Sequence, residues 1–175
     1  MKLAFTGCHG TGKTTLINKI LELDLLPDYE FSTNITRTLK EQGFSISDAG
    51  DDQTQFAVMH KHQDNLMFDD VIMDRCALDC LVYTAYLYLH NKVNVVTYNI
   101  IFDNAVKCIN QYSKIFYLEP EFEIEDDGVR PVDKVFQHEI TSLFHQYIDT
   151  LRLRVIPLTG TVEQRIETFK QNLGA

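Results

Sequence analysis

Apolar positions along the chain recur with two periods, short β-type runs and longer stretches at helical spacing. Lys2–Thr6 is an apolar run that leads straight into glycines and predicts a buried first strand. From Thr14, residues Leu16, Ile17, Ile20 and Leu21 keep helical spacing, and Leu25-Leu26-Pro27 stops that helix, Thr14–Glu22. Tyr29–Ser32 reads as a second strand and Thr36–Gln42 as a polar helix ending at Gly43. Asp51–Phe68 carries Phe56, Met59, Leu66 and Met67 on an otherwise polar helix, and Asp70–Met73 then turns β-like before Asp74-Arg75. Ala77–Leu89 is the most apolar helical stretch, and Val95–Ile109 is a further helix. Lys114–Leu118 is a strand ending at Glu119-Pro120, Val132–Leu151 a helix, Arg154–Pro157 a strand and Val162–Leu173 a closing helix. Strands alternating with helices, without hairpin turns between them, predict a parallel sheet with right-handed crossovers in a three-layer α/β/α domain.

Composition bounds the partners more than the fold. A chain of 175 residues suits one domain and buries roughly 70% of its unfolded surface without staples. The 25 acidic against 16 basic residues give a net charge of −9, which weighs against a broad nucleic-acid-binding face. Six of those acids lie in Glu119–Asp127; without that segment the charge is −3. The imbalance is therefore local. Cys8, Cys76, Cys80 and Cys108 lack zinc or disulfide spacing, and no segment approaches the ~18 apolar residues of a membrane span. A cytoplasmic protein with reduced thiols is the expectation.

Gly7-Cys8-His9-Gly10-Thr11-Gly12-Lys13-Thr14 matches G-x-x-x-x-G-K-[ST], directly after a predicted strand and directly before a predicted helix. Glycines let successive backbone N–H groups wrap a polyanion, and the following helix, with Thr15 in its first turn, adds its positive end. Lys13 then reaches the β- and γ-phosphates, and the Thr14 hydroxyl ligates Mg²⁺. Cys8 and His9 are read as loop positions that supply backbone N–H groups, not as catalytic side chains.

Asp74 ends an apolar strand at the edge where α/β sheets gather ligands. It either holds Mg²⁺ or accepts the acceptor's proton, against the plainer role of capping the helix that follows. Arg75 contacts transferring phosphate or makes a rim ion pair. Glu119–Val132 sits between a strand and a helix, the place for a closing lid at about residues 119–131, and Arg130 is its one basic residue. Arg130 either swings onto the γ-phosphate or is neutralised by its acidic neighbours. Arg37 faces the acceptor or lies on a surface helix. Gln55, His60, His62 and Gln63 lie on a polar helix suited to base or sugar recognition, although most of them are expected to face solvent. His60 and His62, two apart, do not share a helix face and predict no metal pair.

GCHGTGKTT, the strand ending in Asp74-Arg75, DDGVR and the closing VIPLTGTVEQRIETF together resemble the P-loop kinase group that includes thymidylate and deoxynucleoside kinases. They are most similar to NadR-type nicotinamide riboside kinase domains and their AAA-labelled relatives. The resemblance implies a five-stranded parallel sheet of order 2-3-1-4-5, ATP as donor and Mg²⁺ as cofactor. It also implies that Pro157–Val162, including Gly160, Thr161 and Val162, lies beside the adenine ring. In those relatives an acid commonly stands three residues before the arginine after the second strand. Here that position is Asn34, which cannot act as a base.

These features favour a kinase that transfers the γ-phosphoryl group of ATP to a small nucleoside-like or nucleotide acceptor. Two further readings stand beside it. One is a kinase acting on DNA ends or modified bases, which the acidity disfavours. The other is a GTP-binding switch, for which Asn91-Lys92-Val93-Asn94 resembles a guanine-reading box without its final acid. A translocating motor is nearly excluded, because one sheet consumes nearly the whole chain and leaves no room for a second motor domain.

Overall fold

The computed structural model describes residues 1–121 and 134–174. Five parallel strands, β1 (Lys2–Thr6), β2 (Glu30–Ser32), β3 (Val71–Asp74), β4 (Lys114–Tyr117) and β5 (Val155–Pro157), form one sheet of order β2-β3-β1-β4-β5. The helices are α1 (Lys13–Glu22), α2 (Ile35–Glu41), α3 (Asp52–Asn65), α4 (Ala77–Leu89), α5 (Val95–Ile109), α6 (Lys134–Thr150) and α7 (Val162–Leu173). The expected three-layer architecture and strand order are both present.

Both faces of the sheet are buried, which is why its strands read as continuous apolar runs. Successive side chains go to opposite faces. Leu3, Phe5, Ile72 and Phe116 join α1 and α7 in one core, where Phe5 stacks on Phe116 at 5.0 Å between centroids. Ala4, Val71, Met73, Ile115 and Tyr117 join α3, α4, α5 and α6 in the other. Among the described residues no helix is long and apolar enough to cross a membrane.

The ladder pairs Phe5 with Asp74 and Thr6 with Tyr117, so β1, β3 and β4 end at one edge. Parallel order therefore delivers Gly7, Arg75 and Leu118 to the same place.

The boundaries differ from expectation in instructive ways. The third helix ends at Asn65 because the N–H groups of Leu66, Met67 and Phe68 bond to Gln63, Asp64 and Asn65, a tighter i to i−3 turn. Its start is a cap: the Asp51 carboxylate accepts from Thr54 N at 2.8 Å. A short 3₁₀ turn, Ser47–Ala49, precedes it and was not anticipated. Asn91–Asn94 forms the α4–α5 turn, where the Asn94 side chain caps α5 by accepting from Thr97 N. That turn closes a helix of 13 residues that starts next to Arg75, placing it roughly 20 Å from the sheet edge. The guanine-box reading is therefore corrected: this segment is a helix cap far from the glycine loop.

Candidate functional site

The loop after β1 carries three positive-φ glycines, Gly7 (137°), Gly10 (76°) and Gly12 (83°). At Gly7 the requirement is also one of space, since a Cβ there would lie 2.2 Å from the Leu118 carbonyl oxygen at the end of β4. Gly12 precedes α1 without any capping side chain, and Lys13, Thr14 and Thr15 of the first turn line a cleft of about 410 Å³. The other walls are His9–Gly12, Asn34–Arg37, Asp74 and Arg75.

Lys13 is 5% exposed. Its ammonium donates to the carbonyls of Gly7 (2.8 Å) and Cys8 and to Thr11 Oγ1 (3.0 Å), so the loop holds it by its own acceptors. Burial, followed by the nearby Arg75 guanidinium, pushes its pKa down to about 8. Thr14 Oγ1 donates to Asp74 Oδ2 at 2.6 Å, joining the start of α1 to the end of β3. Two hard oxygen donors beside a helix N-terminus suit Mg²⁺, which takes few protein ligands and keeps water or phosphate for the rest.

Asp74 does not cap α4. The N-cap is Cys76, and Asp79 completes the capping box by accepting from Cys76 N at 2.9 Å. Asp79 also accepts from Thr6 Oγ1 (2.7 Å) and from Arg75 Nη1 (3.1 Å) while only 2% exposed. Every oxygen of this buried carboxylate is thus engaged, which makes its burial tolerable. Arg75 occupies a strained backbone position at φ 77°, held by its N–H to Phe5 O, and its guanidinium lies 5.4 Å from the centre of the Tyr83 ring. Sequence reasoning missed both Asp79 and Tyr83. The C-x-x-D spacing ahead of an apolar helix was the available sign of the first.

Behind the cleft, and sharing Thr36 and Arg75 with it, lies a second pocket of about 50 Å³ lined by Gln55, Val58, His62, Asp79 and Tyr83 among others. Gln55, Val58 and His62 fall at i, i+3 and i+7 on α3, one stripe of that helix. The expectation that these polar residues face solvent is corrected for two of them: Gln55 is 4% and His62 1% exposed. Gln55 Oε1 accepts from Thr84 Oγ1 at 2.8 Å, which orients its amide. Burial first, and Arg75 second, push the His62 pKa down to about 3, so the ring is neutral.

Other expected residues are not brought together. Gln63 is exposed and donates to Asn104 Oδ1 at 3.1 Å, because position 63 turns away from the buried stripe toward α5; it is no part of the cleft. His60, also exposed, lies 3.8 Å from Asp64. Cys8 is buried and His9 stacks on Phe136 at 5.1 Å, so neither stands as a free nucleophile or base. Asn34 and Arg37 line the cleft and are exposed. Gly160, Thr161 and Val162 lie outside the cleft lining: Thr161 caps α7, and Gly160 N donates to Glu121 Oε2 at 2.7 Å. The same Glu121 oxygen accepts from Arg165, whose Nη1 donates to Thr11 O at 2.7 Å, so this loop is tied to the glycine loop. Arg130 and residues 122–131 of the expected lid lie outside the described residues.

Comparison with known proteins agrees with this geometry. No curated protein matches the chain in sequence. Among solved structures, the NadR protein in complex with NR superposes with a TM-score of 0.73 at 19% identity, over 99% of this chain and 51% of that one. The chain thus spans about half the length of that relative. The M. mycoides deoxyadenosine kinase with dCMP and dCDP gives 0.73 at 16% identity, over 99% of both chains. The YorR protein of Bacillus subtilis, in complex with phosphorylated GDP, gives 0.62 at 13% identity, over 99% of this chain and 96% of that one. Likeness at these identities shows the fold. A family model described as an AAA domain matches residues 2–165, and with its glycine loop, strand order and cleft the chain belongs to that family and has the P-loop nucleoside kinase-like fold.

Proposed function

We propose that the protein is an ATP-dependent kinase that phosphorylates a hydroxyl of a small nucleoside-like or nucleotide acceptor. The observation that carries this reading is that two pockets lie side by side, with Thr36 and Arg75 lining both. The glycine loop, Lys13 and the Thr14–Asp74 pair line the first, and Arg75 stands between it and the pocket beneath α3. A hydrolase or switch needs only the first part.

In this mechanism the N–H groups of the glycine loop and the first turn of α1 bind the β- and γ-phosphates. Lys13 exchanges its loop carbonyls for phosphate oxygens and neutralises charge as the γ-phosphoryl group moves. Thr14 and Asp74 are the residues that would hold Mg²⁺, which would neutralise phosphate charge when bound. Arg75, fixed by Asp79 and Tyr83, orients the acceptor side of the transferred group. The acceptor oxygen forms a bond to the γ-phosphorus as the bond to the β,γ-bridging oxygen breaks, and ADP leaves with that electron pair. Among the described residues lining the cleft Asp74 is the one carboxylate, and Asn34 cannot take a proton. With Oδ2 on the Thr14 side, Oδ1 of Asp74 receives the acceptor's proton.

An ADP-release screen against nucleosides, deoxynucleoside monophosphates, nicotinamide riboside and single-stranded DNA tests the reading. The expected result is ADP formation that rises with one class of small acceptor. Equal ADP formation with and without every acceptor would reject it.

A further inference from the structure

We infer that Arg165, on α7, is a positioning residue for phosphate binding: by holding the carbonyl of Thr11 it fixes the Thr11–Gly12 peptide with its N–H toward the cleft. This rests on the reading of the glycine loop as the phosphate-binding end.

Arg165 lies in the first turn of α7, is only 2% exposed, and spreads its guanidinium between two partners. Nη1 donates to Thr11 O at 2.7 Å and Nη2 to Glu121 Oε2 at 2.9 Å, while Gly160 N donates to the same Glu121 oxygen at 2.7 Å. Burying a guanidinium is costly, and an ion pair with the part-exposed Glu121 returns little stability that apolar packing would not. The contact with the glycine loop is the one that calls for this side chain. A planar fork reaches Thr11 and Glu121 together, whereas a lysine ammonium is a point charge at the end of a flexible stem.

A planar trans peptide points its C=O and its N–H in opposite directions. With Thr11 O turned to Arg165, the Gly12 N–H points the other way; Thr11, Gly12 and Lys13 line the cleft, and Arg165 lies outside its lining. Gly12 sits at φ 83°, and a glycine accepts either sign of φ, so this peptide can rotate with little backbone strain. Rotation would turn a carbonyl oxygen toward the phosphates where a donor is needed, and the bond to Arg165 opposes it. The Thr11 side chain is anchored as well, donating to Cys8 O at 3.1 Å and accepting from Lys13 Nζ at 3.0 Å. Thr11 is thus held by the loop through its hydroxyl and by α7 through its carbonyl. A Cβ on Gly12 would lie 3.3 Å from Arg165 Nη1, so the guanidinium packs directly against the glycine whose amide it aims.

Titration calorimetry with ADP and with inorganic pyrophosphate, on the wild type, Arg165→Lys and Arg165→Gln, reads the effect, and [¹⁵N]glycine labelling follows the Gly12 amide. Pyrophosphate isolates the phosphate contacts from those of base and sugar. Both variants should bind ADP and pyrophosphate about tenfold more weakly, by the same factor for the two ligands, as expected for one misaimed hydrogen bond to a charged group. The shift of the Gly12 amide on adding pyrophosphate should shrink in parallel. A role confined to stability would lower the urea midpoint and leave both affinities and the amide shift of the folded protein as in the wild type; that result overturns the inference. A loss for ADP without one for pyrophosphate places Arg165 on the base side and overturns it too. Arg165→Gln leaves the Glu121 carboxylate, 28% exposed, within reach of water, so it carries the test if Arg165→Lys does not fold. A wild type that binds neither ligand rejects the phosphate-binding reading of the loop and the inference with it, whereas wild-type binding with unaltered variants overturns the inference alone.

Discussion

The two ends of the cleft are made of different materials. The glycine-loop end is backbone: glycine N–H groups, carbonyls that hold Lys13 and the open first turn of α1. The pocket beneath α3 is made of residues from α2, α3, α4, the turn at Ile46 and Ser47, and the strained residue after β3. A backbone site binds what all nucleotides share, the phosphates. A side-chain site discriminates. The difference explains why one end is readable in a linear motif and the other is not.

The largest effect is expected at the glycine loop. Lys13→Ala should lower acceptor-dependent ADP formation by about 10²–10³-fold, the range for losing one preorganised charge donor, with a far-ultraviolet spectrum like the wild type's. At the acceptor end Asp79→Asn should act through the fold. It removes a charge that three donors share in a buried site, and urea unfolding should report a loss on the order of 3 kcal/mol. If Asp79→Asn left stability unchanged while abolishing turnover, Asp79 would belong to the chemistry instead.

A smaller effect comes from Lys13 titration. Its pKa in the free protein, about 8, lies below the ordinary 10.5, and bound phosphates favour the charged form and raise it. Above about pH 8, nucleotide binding must therefore take up a proton, so affinity is flat below pH 8 and falls up to tenfold per pH unit above it. Calorimetry in buffers of different ionisation enthalpy reads that uptake. The same shift makes the free protein more stable as pH rises from 8 toward 10.5, where the unfolded chain holds the proton that the folded one has lost. His62 works in a different window. Its folded pKa near 3 lies below the ordinary 6.5, so its contribution is complete above pH 6.5 and is lost as pH falls toward 3. The smallest effect belongs to Gln63→Ala, which should change stability by no more than about 0.5 kcal/mol and leave kinetics unaltered, since the residue faces α5.

Legibility in the sequence follows the same division. Strand and helix alternation, the bounds of α4, α5 and α7, and the glycine loop were readable because each depends on local period or local backbone chemistry. Asp74 was readable for its place at a strand end. The facing of α3 was not, because its polar residues are buried at Gln55 and His62 and exposed at Gln63. No periodic apolar stripe marks the difference. Tyr83 was hidden for the opposite reason, since an aromatic on an apolar helix looks like core until Arg75 is found against it. Asp79 joins residues up to 73 positions apart, and only the sheet order brings Thr6 to it.

Passage of a phosphoryl group from the backbone end to the side-chain end can be followed with ATP carrying ³²P at the γ-position. With the acceptor found in the screen, the label should appear in a phosphorylated acceptor, and Lys13→Ala should remove that product. Label recovered only as inorganic phosphate, whatever acceptor is present, would contradict the account and leave a nucleotide hydrolase.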